Sequence, residues 1–330
     1  MGKNNLLTDI NHHSFSDFDK GWINDRIDTS QNRSILINSY QGILKLNYCL
    51  DIGTHSFEEN ILIPNNDCIL SFCRLNNQFS SLLAWSGIIN KSSISIFDIV
   101  SNKKVSNIIK NNNKNSITTS LTTNEKMIIS GNSNGSITLF DIRVPYSVCD
   151  INKNEIQYEN NTNLFNPVLS TKLRENNLLS NNREQVCIYD IRFFNRFKST
   201  KFPSLFKILT KPNQIISTEW CPFNRNSIWI GTVGGGLINQ FDVTNSVNPH
   251  QSRKLKNNLL SIKGNSNLNS LFVLESGSKT MIETLRPQKE GNIKTNVSTY
   301  AMGISVCQEN NALVVYGTDS LSIIEGSKNN

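Results

Sequence analysis

The feature that most constrains this chain is a recurring grammar of short strand, turn, short strand, closed by an aromatic residue and aspartate. From Asn115 to Arg143 it is legible residue by residue. Ser116–Leu121 reads as one strand, Thr122–Glu125 as a turn and Lys126–Gly131 as a second strand. Asn134-Gly135 then marks a hairpin, because both residue types tolerate positive φ. Ser136–Arg143 alternates apolar and polar, the period of a strand with two different faces. The same order returns with Phe97-Asp98, Tyr189-Asp190 and Phe241-Asp242 at its close. Successive aspartates of the set 98, 141, 190 and 242 are roughly 43, 49 and 52 residues apart. A period this long, filled with two-residue alternation and almost no helical pattern, demands a stack of small antiparallel sheets.

Fainter copies lack the aspartate. Arg33–Tyr40 with Gly42–Tyr48, Ser270–Ser276 with Lys279–Glu283, and Ala312–Gly317 with Ser320–Ile324 each read as a hairpin. Repeat ends thus fall near residues 48, 98, 141, 190, 242, 284 and 325. The last repeat stops after its third strand, and Asn5–Ile10 is the segment expected to supply the fourth. That pairing would hide an edge and tie the first repeat to the last.

The pairs Phe97-Asp98, Phe140-Asp141, Tyr189-Asp190 and Phe241-Asp242, each with a hairpin upstream, resemble the WD-repeat family of β-propellers. The likeness covers nearly all of residues 1–330 and implies an all-β fold: one closed β-propeller, with seven four-stranded blades expected and six or eight as alternatives. The departures are large, since Phe or Tyr stands where the family has Trp, and no Gly-His dipeptide occurs. The family's buried relay from His through Ser or Thr to Trp is therefore absent. The expectation is that apolar packing alone holds the blades. The resemblance makes the four aspartates structural, each capping a turn or binding backbone inside its own repeat.

Two boxes, Phe140-Asp141-Ile142-Arg143 and Tyr189-Asp190-Ile191-Arg192, are similar to the aromatic-Asp-x-Arg box of WD-repeat substrate receptors for cullin–RING ubiquitin ligases. That likeness implies that Arg143 and Arg192 project toward an adaptor; the plain alternative is two solvated side chains. Downstream, residues 192–211 hold six basic residues and no acid, interleaved with phenylalanines: Arg192, Phe193, Phe194, Arg196, Phe197, Lys198 and Lys201 lead the run. Such a mixture suits an acidic protein partner or stacked nucleic-acid bases. It equally suits the basic solvent face of an outer strand.

Composition narrows the function classes. The chain has 330 residues and 50 asparagines, which lengthen loops without altering the repeat. Net charge is +7 with only four histidines, scattered at 12, 13, 55 and 250. Seven cysteines show no zinc spacing, so no metal and no cofactor is expected. Gly234-Gly235-Gly236 precedes a strand and cannot act as a phosphate loop. No nucleophile elbow or zincin signature occurs. Met1–Lys20 lacks an apolar signal core and no apolar run is long enough to span a bilayer. The reading is a non-enzymatic intracellular scaffold, cytoplasmic or nuclear, monomeric alone and binding protein partners within a larger complex. The competing readings are the ligase receptor, a propeller hydrolase and a nucleic-acid-associated propeller.

Overall fold

The computed structural model describes residues 7–14, 27–31, 34–39, 42–51, 54–64, 69–75, 81–89, 93–109, 116–124, 127–144, 147–151, 167–193, 206–210, 213–233, 236–244, 248–276, 280–286, 293–297, 301–307, 312–317 and 320–326. Along the chain, strand β1 (Leu7–Ser14) is followed by β2 (Ile27–Gln31), β3 (Ser34–Ser39), β4 (Gly42–Asp51) and β5 (Thr54–Pro64). Next come β6 (Ile69–Arg74), β7 (Leu82–Gly87), β8 (Ser93–Asp98) and β9 (Lys103–Ile109). The third group is β10 (Thr118–Asn124), β11 (Met127–Asn132), β12 (Ile137–Asp141) and β13 (Ser147–Ile151). The fourth is β14 (Ser170–Arg174), β15 (Asn177–Asn181), β16 (Gln185–Asp190) and β17 (Phe206–Leu209). Then follow β18 (Ile215–Trp220), β19 (Ser227–Thr232), β20 (Leu237–Asp242) and β21 (Gln251–Lys254). The chain continues through β22 (Asn258–Asn265), β23 (Ser270–Ser276), β24 (Thr280–Leu285) and β25 (Ile293–Val297). It ends with β26 (Ala301–Cys307), β27 (Ala312–Gly317) and β28 (Ser320–Gly326).

Among the described residues these strands make seven four-stranded sheets. Six sheets take four consecutive strands in order; the seventh runs β1-β28-β27-β26. There β1 pairs antiparallel with β28, from Leu7 opposite Gly326 to Ser14 opposite Ser320. The third strands β4, β8, β12, β16, β20, β24 and β28 end at residues 51, 98, 141, 190, 242, 285 and 326. No α-helix occurs among the described residues, so none is long and apolar enough to cross a membrane. Ile191–Phe193 forms a 3-10 turn.

The chain divides into two compact units. In the unit of residues 64–215, three sheets stack side by side. One core cluster joins Leu75, Ala84, Ile94, Ile96 and Ile108 of the β6–β9 sheet to Leu121, Ile128 and Phe140 of the next. A second joins Ile129, Ile137 and Leu139 to Val168, Leu178, Cys187 and Tyr189. Inner strands are therefore covered on both faces, which is why β16 reads Gln-Val-Cys-Ile-Tyr-Asp and is buried throughout. Burial of an Ile or Leu stabilises by about 2 kcal/mol, so these seams supply most of the driving force. In the unit of residues 1–63 and 216–330, Trp229 and Ile238 meet Leu259, Ile262 and Val273, and Phe272 and Leu274 meet Ile304 and Val315.

Apolar packing is not the whole account, contrary to the sequence reading. Asn132, at the end of β11, is fully buried and sits at the centre of five side-chain contacts. Its Nδ2 donates to the Ser136 carbonyl at 3.2 Å, to Ser136 Oγ at 3.1 Å and to Thr138 Oγ1 at 3.0 Å. Its Oδ1 accepts from Thr118 Oγ1 at 3.4 Å and Ser130 Oγ at 3.3 Å. One amide thus ties three strands and their hairpin, using hydroxyls and asparagine where His and Trp were sought.

The hairpin itself also differs from expectation. Gly135 has φ of 83°, but Asn134 is not among the positive-φ residues. Gly135 N donates to the Asn132 carbonyl and Asn132 N to the Ser136 carbonyl, the pattern of a three-residue loop with a glycine bulge. Asn134 works through its side chain, accepting from Ser136 N at 3.0 Å and Ser136 Oγ at 2.7 Å. The turn foreseen at Thr122–Glu125 is strand as far as Asn124.

Candidate interaction surface

Four aspartates that close third strands do one thing. Asp98, Asp141, Asp190 and Asp242 accept, through Oδ1, the backbone N–H two residues on: Val100 at 3.0 Å, Arg143 at 2.9 Å, Arg192 at 3.0 Å and Thr244 at 2.9 Å. This Asx turn ends the strand and fixes the direction in which the next side chain leaves. The aromatic residue before each aspartate faces inward: Phe97, Phe140, Tyr189 and Phe241 are all buried.

Three of these turns lie at one end of the 64–215 unit. Arg74 pairs with Leu83 and Leu83 with Phe97, while Thr123 pairs with Ile128 and Ile128 with Phe140. Thr123 Oγ1 donates to the Arg74 carbonyl at 2.7 Å, bringing these two rows to the same level. Likewise Thr171 Oγ1 meets Ser120 Oγ at 3.2 Å, setting β14 parallel to β10. The Asp98, Asp141 and Asp190 turns therefore line a single edge.

The two Asp-x-Arg boxes have the same internal geometry. Arg143 Nε donates to Asp141 at 2.8 Å, and its Nη2 closes a second bond to the other carboxylate oxygen. Arg192 repeats this on Asp190 at 2.9 and 2.5 Å. The Arg192 bond, with further help from its backbone N–H, holds the Asp190 carboxyl below its ordinary range, against the opposing effect of burial. Both guanidinium groups are shifted upward by their aspartates. The side chains of Arg143 and Arg192 remain 66% and 64% exposed. Arg192 also lies over the ring of Phe193, 6.0 Å from its centroid. The fork-on-fork pairing leaves each arginine a flat, rigid, locally neutralised plate rather than a searching charge.

Phe194, Arg196, Phe197, Lys198 and Lys201 lie outside the described residues. The far end of that basic segment is strand: β17 pairs with β16, with Lys207 exposed and Ile208 buried. Sequence reasoning passed over the first turn of the row. Val100 stands where Arg143 and Arg192 stand, two residues beyond its aspartate, and is 84% exposed. Superposing the aromatic-aspartate pairs was the signal that could have found it.

No family model matches the chain, and no curated protein matches it. Solved structures do. It is similar to a chain of the crystal structure of the mitotic checkpoint complex, with TM-score 0.71 and 14% identity, covering 96% of this chain and 90% of that one. It is also similar to the WD40 β-propeller domain of Doa1, with TM-score 0.69 and 10% identity, covering 98% and 97%. The four-stranded antiparallel sheets repeated along the chain accord with these structural neighbours: the chain has the fold of the WD40 β-propellers.

Proposed function

We propose that the chain is a non-catalytic scaffold, a closed seven-bladed propeller that presents its turns to protein partners within a larger complex. The observation that carries this reading is the row of capped turns at residues 98–102, 141–144 and 190–193. Each turn is capped by a carboxylate that accepts the backbone N–H two residues on, and each carries an exposed side chain at that position, Val100 or an arginine held flat by its own aspartate. Rigid, pre-aimed side chains bind with little loss of conformational entropy. Arg143, Arg192 and Phe193 are the residues we assign to recognition. Crosslinking and affinity purification with mass spectrometry test it. Stoichiometric protein partners, some lost in an R143A/R192A variant that still folds, are expected; turnover in a broad hydrolase screen with no retained partner would overturn it.

A second reading is favoured by the repetition of the Asp-x-Arg fork in consecutive sheets. As a ligase substrate receptor, the chain would bring a cullin adaptor down with the wild type and lose it in R143A/R192A. Absence of that adaptor from the wild-type eluate removes this reading and leaves the scaffold.

A further inference from the structure

We propose that the corner formed by Val100, Lys103, Lys104 and Val105 docks an acidic, apolar-bearing linear segment of a partner protein. The proposal rests on the scaffold reading and names the chemistry of one partner.

The corner is the β8–β9 turn and the start of an outer strand. Asp98 anchors it: the Ser81 and Ser101 hydroxyls and the Val100 N–H all hold its carboxylate, which lowers its pKa in that order of effect. Asn102 adopts φ of 53°, and Ile99 N bonds the Ser81 carbonyl. A turn so fixed holds Val100 out at 84% exposure by construction. Val105 is presented by a different device. Ile96 pairs with Ser106 and Phe97 with Lys104, so Val105 is the extra residue of a β-bulge and is 57% exposed. Two apolar side chains are thus turned outward within six residues, where a solvated strand would carry polar ones.

The charge around them has one sign. Lys103 and Lys104 are exposed, and no described residue makes an ion pair with either ammonium. Asp98, the one acid of the turn, is spent on hydroxyls and backbone. From residue 99 to 124 the chain has four lysines and no acid. Farther along the same edge, Arg143 and Arg192 are neutralised by their own aspartates. At the β8–β9 corner the charge left over is therefore the lysine pair, beside the two valines. Lysines and a bulge on an outer strand oppose the addition of another strand. Docking here runs through side chains: carboxylates to the lysines, and an aliphatic or aromatic group between Val100 and Val105.

The test uses the full chain and labelled twelve-residue peptides read by fluorescence anisotropy. One peptide mixes Glu with Leu and Phe; one control replaces Glu by Gln, another replaces Leu and Phe by Ser. Wild type is expected to bind the first at least tenfold tighter than either control, more weakly at 300 than at 50 mM salt. K103E/K104E and, independently, V100S/V105S are expected to lose that preference tenfold while keeping wild-type circular dichroism; K103Q/K104Q serves should the charge reversal fail to fold. Equal binding of all peptides, or binding indifferent to both variants, overturns the proposal. So does lysine-dependent capture of an RNA oligomer or phosphatidylserine vesicles without peptide preference. If K103E/K104E keeps every partner of the wild type, the corner fails and the scaffold stands; if the wild type retains no partner, both fail.

Discussion

Replacing Asn132 by alanine probes the polar tie of the β10–β13 sheet. The substitution removes five contacts and leaves Thr118, Ser130, Ser136 and Thr138 buried, each at most 1% exposed. A net hydrogen bond contributes about 1 kcal/mol, and a stranded buried polar group costs about 1–3 kcal/mol. The contacts share one amide and do not add, and the hydroxyls can partly re-pair with one another. The expected loss is about 3 kcal/mol. Buried Trp85, Trp220 and Trp229 report unfolding by fluorescence. With a urea slope of about 3 kcal/mol/M, the midpoint falls by about 1 M at unchanged slope. Asn132→Asp goes further at neutral pH, since it loses the donor and buries a charge. Burial raises that carboxyl's folded-state pKa, so the folded state holds its proton longer, and the variant regains stability as pH falls. Asn258→Ala, at an exposed asparagine, is the control and stays within about 0.5 kcal/mol. A midpoint shift for Asn132→Ala no larger than that of the control refutes the account and returns the sheet to apolar packing alone.

Gly303 lies under the ring of Tyr316, where an added Cβ would come within 2.2 Å of Oη; Gly303→Ala is expected to cost about 1–3 kcal/mol by urea unfolding, and Gly303→Ala with Tyr316→Leu to recover part of it. The Asp190 carboxyl is held below its unfolded value, so its stabilisation is present above the unfolded pKa and lost as pH drops through the folded one. Arg192→Ala should therefore lower stability near neutral pH and flatten the acid limb of a pH–stability profile, and a profile identical to wild type would remove the fork from the account. Deleting residues 1–14 strips β1 from β28 and leaves a new edge, so the truncated chain is expected to unfold earlier and to associate in light scattering.

How much of this was readable depended on where apolar residues and turns had to alternate. The third strands were legible because their inner face needs Ile, Leu or Phe at every second position and the Asx turn needs Asp at the end. Outer strands were not: β21, Gln-Ser-Arg-Lys, is mostly exposed and carries no apolar residue, so it reads as loop. The Asn132 centre escaped because the reading looked for His and Trp. The available signal was polar residues, Thr118, Ser130 and Thr138, at positions where strands otherwise turn apolar side chains inward. Within the candidate surface, the arginines stood out by charge, whereas Val100 looked like any valine until its turn was seen.

The Asx turn separates two requirements that compete in most proteins. The hydrogen bond that ends the strand is donated by a main-chain N–H to the carboxylate, so the cap requires only the amide of the residue two positions beyond the aspartate; Arg143, Arg192 and Thr244 add a side-chain bond to the same carboxylate on top of it. Val, Arg, Arg and Thr occupy that position in four turns of this chain with the same cap. Identity there is therefore free to drift under selection for binding, while the strand end stays put. A library randomised at residues 100, 143, 192 and 244 would sample new specificities on an unchanged frame, with proline, which lacks the amide, as the one residue the position refuses.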